Sequence, residues 1–225
     1  MCSADSDATT RAIMRSQKFF NKATLFVYDF VLYGVISKYA WGCSIGRLHS
    51  HYRDHLSPNH LEVGVGTGFL LNRAAFDSPR PRIALMDLSP ECIESTACKI
   101  ARYAPETYIQ NLLEPIEVKI EQFDSIAINS VMHCVPGRFK EKGVAFLHLR
   151  PLMSERCVLF GTTVLSDGVR KNCLARPFMW LMNALGVFNN RGDNADDLKA
   201  YLEKSFQIIE FEVVGVAAFF AVKRR

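Results

Sequence analysis

The sequence lacks the features that mark secreted, membrane-spanning or zinc-binding proteins. Its seven cysteines are scattered and odd in number, and no CxxC pair or cysteine–histidine cluster with zinc spacing occurs. We therefore predict free thiols in a reducing compartment. The N-terminus lacks the basic start and apolar run of a signal peptide. The most apolar early stretch, 19–35, is interrupted by Lys22 and Asp29 and does not satisfy the length of a membrane span. We expect a soluble, cytoplasmic protein with no membrane partner.

The chain also has only a small excess of positive over negative charge. The 225 residues carry a net charge of +4, and the clearest basic cluster is 223–225 at the end of the chain. A nucleic-acid-binding protein would more often show a basic stripe along one face, so we predict no nucleic-acid partner. With 49% hydrophobic residues, the chain can bury one sizeable core and is short for two domains.

Two segments of the chain differ in their hydrophobic pattern. Within residues 1–57, apolar residues recur at helical spacing over 11–39, which predicts an N-terminal helical cap segment. Ser44 is the candidate N-cap of a further helix through Tyr52. Residues 58–225 alternate short apolar strands with helices, which predicts an α/β core with a mostly parallel sheet. This alternation includes a strand over 123–129 and helices over about 67–75 and 138–149. The last two predicted strands, 206–213 and 216–222, are separated only by a short turn and indicate a closing antiparallel hairpin. We expect a single domain overall.

A glycine-rich turn follows the first strand of the core. The strand covers 61–65, and Gly64, Gly66 and Gly68 open the turn before a helix begins. Glycine tolerates positive φ and has no Cβ to obstruct a ligand, and the N-terminus of a helix leaves N–H groups unpaired. The dinucleotide fingerprint needs a glycine where Phe69 stands, and the P-loop needs a lysine that is absent. Neither phosphate-binding motif fits.

Acidic residues accompany this turn. Glu62 precedes the glycines in the pattern acid-x-Gly-x-Gly-x-Gly, and Asp87 ends the next strand, where two carboxylate oxygens can hold a ribose diol. In these residues the sequence resembles the class I S-adenosylmethionine-dependent methyltransferases, over about 58–223. The resemblance implies a Rossmann-like fold: a mostly parallel seven-stranded sheet with a C-terminal antiparallel hairpin and helices on both faces. It also implies S-adenosyl-L-methionine as cofactor and S-adenosyl-L-homocysteine as product.

The resemblance assigns a set of cofactor-binding residues. They are Glu62, Gly64, Gly66, Gly68, Asp87, Leu88, Asn111 and Asn129. The glycine motif surrounds the methionine part of the cofactor in this family, Asp87 matches the acid that holds the ribose hydroxyls, and Leu88 lies beside the adenine. Asn111 stands where the family usually has an aspartate that binds the adenine amino group, and its carbonyl oxygen can still accept that hydrogen bond. Asn129 begins the fourth motif, whose backbone lies along the cofactor.

The chemistry of methyl transfer indicates few catalytic residues. The reaction is an in-line displacement, so the enzyme mainly holds acceptor and methyl group in line. A base helps only where the acceptor has a proton to lose, and His133 is the candidate base because imidazole titrates near neutrality. The alternative is a histidine satisfied by a neighbouring carbonyl. Catechol-type enzymes have a metal-binding acid where this chain has Asn129 and Ser130, so no metal is predicted, and the Pro-Pro-aromatic motif of base-amine methylation is missing.

The helical cap and an apolar helix at 173–188 are predicted to form the acceptor pocket. Tyr28, Trp41 and Trp180 are candidate substrate-binding residues, although Tyr28 and Trp41 are equally compatible with a core position. The helix at 173–188 is either a lid over a small-molecule substrate or the surface of a homodimer. We expect a metal-independent methyltransferase for a small, hydrophobic molecule, including secondary metabolites. The alternative is a non-methylating protein of the same fold, either an isomerase or cyclase or a regulatory partner in natural-product biosynthesis.

Overall fold

The computed structural model describes residues 39–225. The predicted helical segment before Tyr39, with the candidate residue Tyr28, lies outside the described residues. The strands are β1 (Asn59–Val63), β2 (Arg82–Asp87), β3 (Glu106–Ile109), β4 (Phe123–Asn129), β5 (Met153–Val164), β6 (Phe206–Val214) and β7 (Ala217–Arg224). The α-helices are α1 (Ile45–His55), α2 (Phe69–Asn72), α3 (Pro90–Lys99), α4 (Phe139–Lys142), α5 (Val144–Leu149), α6 (Ala175–Ala184) and α7 (Ala195–Ser205). Among these described helices, none is both long and apolar enough to cross a bilayer.

The seven strands form one sheet in the order β3-β2-β1-β4-β5-β7-β6. Strands β1 to β5 are parallel, and β7 pairs antiparallel with both β5 and β6. The prediction of a mostly parallel seven-stranded sheet with a closing antiparallel hairpin is therefore confirmed. The strand order reverses between β1 and β4, and such a reversal leaves a crevice at the carboxyl ends of these strands.

Apolar side chains cover both faces of the sheet. In β2, Ile83 and Leu85 point into one core, and Ala84 and Met86 point into the other. Helices α1, α2, α3 and α6 contribute to the first core, and α4, α5 and α7 to the second. A sheet covered on both faces needs nearly continuous apolar strands, which explains why β2 has no polar residue between Arg82 and Asp87.

Two helices are shorter than their sequence patterns predict. The helix predicted over 67–75 is the single turn α2, because Gly68 at its N-terminus adopts φ 67° and the helix ends before Arg73. The helix predicted over 138–149 is divided at Gly143 into α4 and α5. A Cβ at Gly143 would lie 2.7 Å from the ring of Tyr201 in α7, so glycine lets these helices pack closely.

The chain before α1 meets the turn between β6 and β7. Ser44 caps α1 as predicted, since its Oγ accepts a hydrogen bond from the Arg47 N–H at 3.2 Å. Before this cap, the Trp41 carbonyl accepts from the Val216 N–H at 3.0 Å. Gly215 has φ 61°, and a Cβ there would lie only 2.0 Å from the Trp41 oxygen. The approach of the two segments therefore requires glycine at position 215.

Candidate active site

A cavity opens at the carboxyl ends of β1, β2 and β4, where the strand order reverses. Its walls include every residue that the sequence predicts for cofactor binding, namely Glu62, Gly64, Gly66, Gly68, Asp87, Leu88, Asn111 and Asn129. The fold therefore brings together residues from four separate stretches of the chain at one cavity.

The three glycines of the turn all adopt positive φ, at 67°, 49° and 67°. A Cβ at Gly64 would lie 2.2 Å from the side chain of Val131, and one at Gly68 would lie 2.6 Å from that of Thr96. A Cβ at Gly66 would meet nothing within 4 Å. Gly64 and Gly68 are thus required by neighbouring protein atoms, whereas Gly66 leaves open space in the wall of the cavity, as a closely approaching ligand requires.

Asp87 presents a carboxylate to the cavity that backbone groups hold in place. Its Oδ1 accepts from the Ser89 N–H at 2.9 Å, and its Oδ2 lies 3.5 Å from the Gly66 nitrogen. Burial raises the pKa of Asp87, and the hydrogen bonds from backbone N–H groups oppose that rise. A carboxylate has about four acceptor positions, so two oxygens remain able to bind a pair of hydroxyls.

Glu62 is oriented by a buried hydrogen-bond network. Its Oε2 accepts from the Tyr52 hydroxyl and lies 3.1 Å from His60 Nε2. The other ring nitrogen of His60 lies 2.8 Å from Ser125 Oγ. All four side chains are buried. Sequence reasoning did not identify Tyr52 or His60 as part of the site, although Tyr52 lies in a predicted helix and His60 lies in the strand that carries Glu62.

Asn129 leaves a hydrogen-bond donor without a protein partner. Its Oδ1 accepts from Thr162 Oγ1 at 3.2 Å, whereas its Nδ2 is buried and has no partner among the protein atoms. Such groups are rare in folded proteins and call for an explanation. A ligand in the adjacent cavity would satisfy this amide.

Asn111 uses its side chain within its own turn. The Oδ1 accepts from the Leu113 N–H at 3.1 Å, and the Nδ2 donates to Glu114 Oε1 at 2.9 Å. Asn111 therefore shapes the cavity wall. Its predicted contact with adenine stays a prediction, and it needs the second lone pair of Oδ1.

A second, mostly apolar cavity adjoins the first. Trp41, Leu48, Val164 and Phe188 form much of its wall, and Ser130 lines both cavities. Ser130 has φ 58°, and non-glycine residues held in this region often mark functional sites. The hydroxyl of Thr163, also in the wall of the second cavity, is buried without a partner. The second cavity thus combines an apolar surface with a polar group that is free to bind a ligand.

His133 lies in the wall of the second cavity as a neutral imidazole. Its Nδ1 accepts from the Val164 N–H at 3.3 Å, and its ring packs on Phe188 with centroids 4.4 Å apart. Burial, with a smaller effect from the Lys142 charge, lowers the pKa of His133 to about 3. Because Nδ1 accepts, we infer that the hydrogen is on Nε2. The nitrogen that a general base would use is therefore already engaged by the backbone.

A buried ion pair supports the loop that carries His133. Lys142 Nζ lies 2.5 Å from Asp193 Oδ2, and both side chains are fully buried. Burial lowers the pKa of Lys142 and raises that of Asp193. Asn189 lies beside the pair, and its N–H donates to the His133 carbonyl at 2.7 Å. The pair thereby connects the segment after α6 with the loop that follows β4.

The two candidate tryptophans lie in different environments. Trp41 is buried between Phe178 and Phe188, with ring centroids 5.4 and 5.9 Å away, and lines the second cavity. Trp180 is 67% exposed and lines neither of the two cavities. The buried stripe of α6 contains Met179 and Met182, and adjacent positions on a helix point in different directions. The structure therefore does not bring Trp180 to the site.

Comparison with known proteins identifies the family. A family model described as "Methyltransferase domain" matches residues 61–159. Methyltransferase verB of Penicillium polonicum is 36% identical over 224 residues, which cover 92% of this chain and 97% of that protein. The chain belongs to the class I S-adenosylmethionine-dependent methyltransferases. The predicted family, fold and cofactor are confirmed, and the glycine turn, Asp87 and the unpaired amide of Asn129 suit S-adenosylmethionine.

Two other methyltransferases are also similar. Demethylluteothin O-methyltransferase of Streptomyces thioluteus is 38% identical over 207 residues, which cover 91% of this chain and 90% of that protein. The N-methyltransferase NodS of Bradyrhizobium japonicum, crystallised with S-adenosylhomocysteine, shares the fold with a TM-score of 0.57 and 14% identity, over 80% of this chain and 86% of that chain. This methyltransferase thus has relatives of nearly its own length.

Proposed function

We propose that this methyltransferase transfers a methyl group from S-adenosylmethionine to a hydroxyl oxygen of a small, largely apolar acceptor, and that this acceptor is a secondary metabolite. The observation that carries the proposal is that Ser130 lines both the first cavity, which we call the cofactor cavity, and the second, mostly apolar cavity, which we call the acceptor cavity. The 38% identical relative named as an O-methyltransferase supports oxygen as the acceptor atom.

We assign the cofactor contacts to the residues that line the first cavity. Asp87 binds the ribose hydroxyls, with Leu88 beside the adenine, and Glu62 and the glycine turn surround the methionine part. Asn111 borders the adenine, and Asn129 offers its unpaired amide hydrogens. The supporting observations are the backbone-held carboxylate of Asp87 and the open space above Gly66.

The acceptor is held in the second cavity and needs no metal ion. Bound S-adenosylmethionine supplies a methyl group on a positively charged sulfur. Trp41, Val164 and Phe188 exclude water from the acceptor and fix its plane, which is the positional catalysis that methyl transfer needs. Thr163 offers its buried hydroxyl to a polar group of the acceptor.

His133 has two roles to distinguish, and we propose that it donates a hydrogen bond from Nε2 to the oxygen of an acceptor that binds as its phenolate or enolate. The hydroxyl proton of such an acceptor is lost to water, and the sulfur leaves as S-adenosylhomocysteine. The base role predicted from the sequence requires Nδ1 to release the Val164 N–H, or the other tautomer. His133→Gln retains a donor and cannot act as a base, whereas His133→Ala removes both functions. Turnover that survives in the glutamine variant alone supports the donor. Loss in both variants, together with an imidazole inflection in the wild-type pH profile, would favour the base.

Product analysis tests the proposed reaction. Purified protein is incubated with S-adenosylmethionine and matched phenols, enols and amines, and products are identified by mass spectrometry, with Asp87→Ala as a control for cofactor binding. Methyl ethers from the hydroxyl compounds are expected. Methylated amines alone would move the acceptor atom to nitrogen. No product at all, with S-adenosylhomocysteine still bound in calorimetry, would favour the non-methylating alternative.

We also propose that residues 1–57 act as a cap segment for the core at 58–225, and Tyr28 stays a candidate substrate-binding residue. Support comes from the described end of this segment, where Tyr52 bonds to Glu62 and Trp41 lines the second cavity. Deletion of residues 1–38 should raise the KM for the acceptor by a larger factor than it changes the Kd for S-adenosylhomocysteine.

A homodimer through the exposed side of α6 and a cytoplasmic location complete the proposal. Trp180, Leu181 and Leu185 are exposed there, and Trp180→Asp should shift a dimer to monomer in analytical ultracentrifugation. All six cysteines in the described residues are free thiols, which supports a reducing compartment.

A further inference from the structure

Helix α1 carries two histidines that face a carboxylate of β6. His51 and His55 are four residues apart and therefore lie on one side of the helix. His51 Nδ1 is 3.4 Å from Glu210 Oε1, and His55 Nε2 is 2.9 Å from Glu210 Oε2. One ligand atom from each of the three side chains lies within 4.8 Å of the other two.

His51 is the unexplained member of this group. Its side chain is 1% exposed, and neither ring nitrogen has a hydrogen-bond partner of acceptable geometry. The rings of Phe160 and Phe219 pack around it, with centroids 5.8 and 5.2 Å away, and offer no polar atom. A buried imidazole without a partner is costly. Metal ligation uses the lone pair of a ring nitrogen, and neither nitrogen of His51 is engaged by a protein donor.

We propose that His51, His55 and Glu210 bind a divalent transition-metal ion, of which zinc matches the donors best. Two imidazole nitrogens and one carboxylate oxygen are a recurring zinc ligand set, with a fourth position open to water. Zinc–ligand distances of about 2.0–2.2 Å in a tetrahedral site place the ligand atoms about 3.4 Å apart. The separations of 3.4 and 2.9 Å from Glu210 are already close to that value, and the 4.8 Å limit of the group requires only a small contraction. The side chains of His55 and Glu210 are 14% and 30% exposed, which leaves the ion a path from solvent.

Arg47 is the competitor for this site. One of its guanidinium nitrogens lies 2.7 Å from Glu210 Oε1 and 2.6 Å from Glu212 Oε2. Binding of the ion would transfer Arg47 wholly to Glu212, while the guanidinium stays above the Phe219 ring, 4.9 Å from its centroid. Removal of the Arg47 charge should therefore strengthen metal binding, whereas removal of a ligand should weaken it.

The proposed ion would stabilise the position of α1 on the hairpin of β6 and β7. None of its three ligands lines the cofactor cavity or the acceptor cavity, so the ion has no part in methyl transfer. Tyr52, which holds Glu62 in the cofactor cavity, lies between the two histidines on α1. A fixed α1 would therefore also fix the Tyr52 hydroxyl.

Zinc titration of the full-length protein after chelator treatment tests the proposal. Calorimetry should give one ion per chain, and saturating zinc should raise the Tm. His55→Ala should weaken zinc binding by at least about tenfold, the lower end of the loss seen when even an outer-shell partner is removed. Arg47→Leu should tighten it. His49→Ala, on the same helix and outside the group, should leave zinc affinity unchanged.

Cobalt distinguishes this site from adventitious binding by the free cysteines. Co²⁺ bound to nitrogen and oxygen ligands gives visible d–d bands without a thiolate charge-transfer band in the near ultraviolet. A thiolate band, no binding of zinc at all, or equal zinc affinity in wild type and His55→Ala would overturn the proposal. Should His55→Ala fail to fold, Glu210→Gln provides the same comparison at a partly exposed position.

Discussion

Replacement of Gly66 by alanine should separate cofactor binding from folding. Gly66 lines the cofactor cavity with φ 49°, and a Cβ there would touch no protein atom within 4 Å. The substitution therefore adds a methyl group to the space that the cofactor needs, without a clash inside the protein. Gly168 is the matched control, because it has φ 71°, the same open surroundings and no place in the cavity wall.

Gly66→Ala and Gly168→Ala should have the same stability but different affinities for S-adenosylhomocysteine. A non-glycine residue in the left-handed region costs about 1–2 kcal/mol, which lowers the Tm of a protein of this size by about 2–8 °C. Both Gly66→Ala and Gly168→Ala should show this decrease. An extra methyl group in a close-packed contact costs about 1–3 kcal/mol, so Gly66→Ala alone should bind S-adenosylhomocysteine about 5- to 150-fold more weakly.

Thermal unfolding and calorimetry with S-adenosylhomocysteine measure both effects. Wild-type affinity in Gly66→Ala would refute the reasoning, because the cofactor could not then approach the backbone at Gly66. An equal loss of affinity in Gly168→Ala would also refute it, since the effect would then follow from backbone strain rather than from the cavity.

Substitutions at three further places test other parts of the structure. Tyr52→Phe removes the hydrogen bond to Glu62 and should weaken S-adenosylhomocysteine binding by about 0.5–1.5 kcal/mol in calorimetry; unchanged affinity would mean that Tyr52 does not orient this carboxylate. Lys142→Met leaves Asp193 buried without its partner and should lower the free energy of unfolding in urea by about 3–5 kcal/mol. The double variant Lys142→Met/Asp193→Leu should recover most of this loss, and a lack of recovery would contradict the pairing. The hydrogen bond from Arg156 lowers the pKa of Asp124 to about 2. The stability that this pair contributes is therefore present above the unfolded pKa of about 3.9 and is lost as the pH falls towards 2. At pH 7 the free energy of unfolding of Asp124→Asn should be lower than that of the wild type by only about 1 kcal/mol, because Arg156 is exposed. A difference that stays constant down to pH 2 would be inconsistent with this ion pair.

The sequence was sufficient for the elements whose physics is local. The apolar strands, the Ser44 cap and the glycine turn each depend on a few neighbouring residues, and β4 was predicted at its observed bounds, Phe123–Asn129. The grouping of the predicted residues around one cavity followed because the carboxyl ends of parallel strands meet at one edge of the sheet. Their contacts with the cofactor stay a prediction.

What the sequence could not predict depends on contacts between distant residues. The close approach of the Tyr201 ring to Gly143 depends on the packing of α7, and the network around Glu62 depends on the packing of α1. The environment of His133 depends equally on the segment after α6, which no local pattern connects with β4. Trp180 shows the same limit, because composition alone does not tell which side of an apolar helix is buried.

The contact of Trp41 with the turn after β6 has a consequence for the order of events during synthesis. Both sides of the acceptor cavity depend on it, because Trp41 and Ala217 line that cavity and the Val216 N–H holds the Trp41 carbonyl. The ribosome delivers Trp41 before β1 to β4 and delivers β7 after them. A nascent chain therefore contains every wall residue of the cofactor cavity while the wall of the acceptor cavity still lacks Ala217 of β7. The enzyme would thus acquire its methyl donor site before it can recognise a substrate.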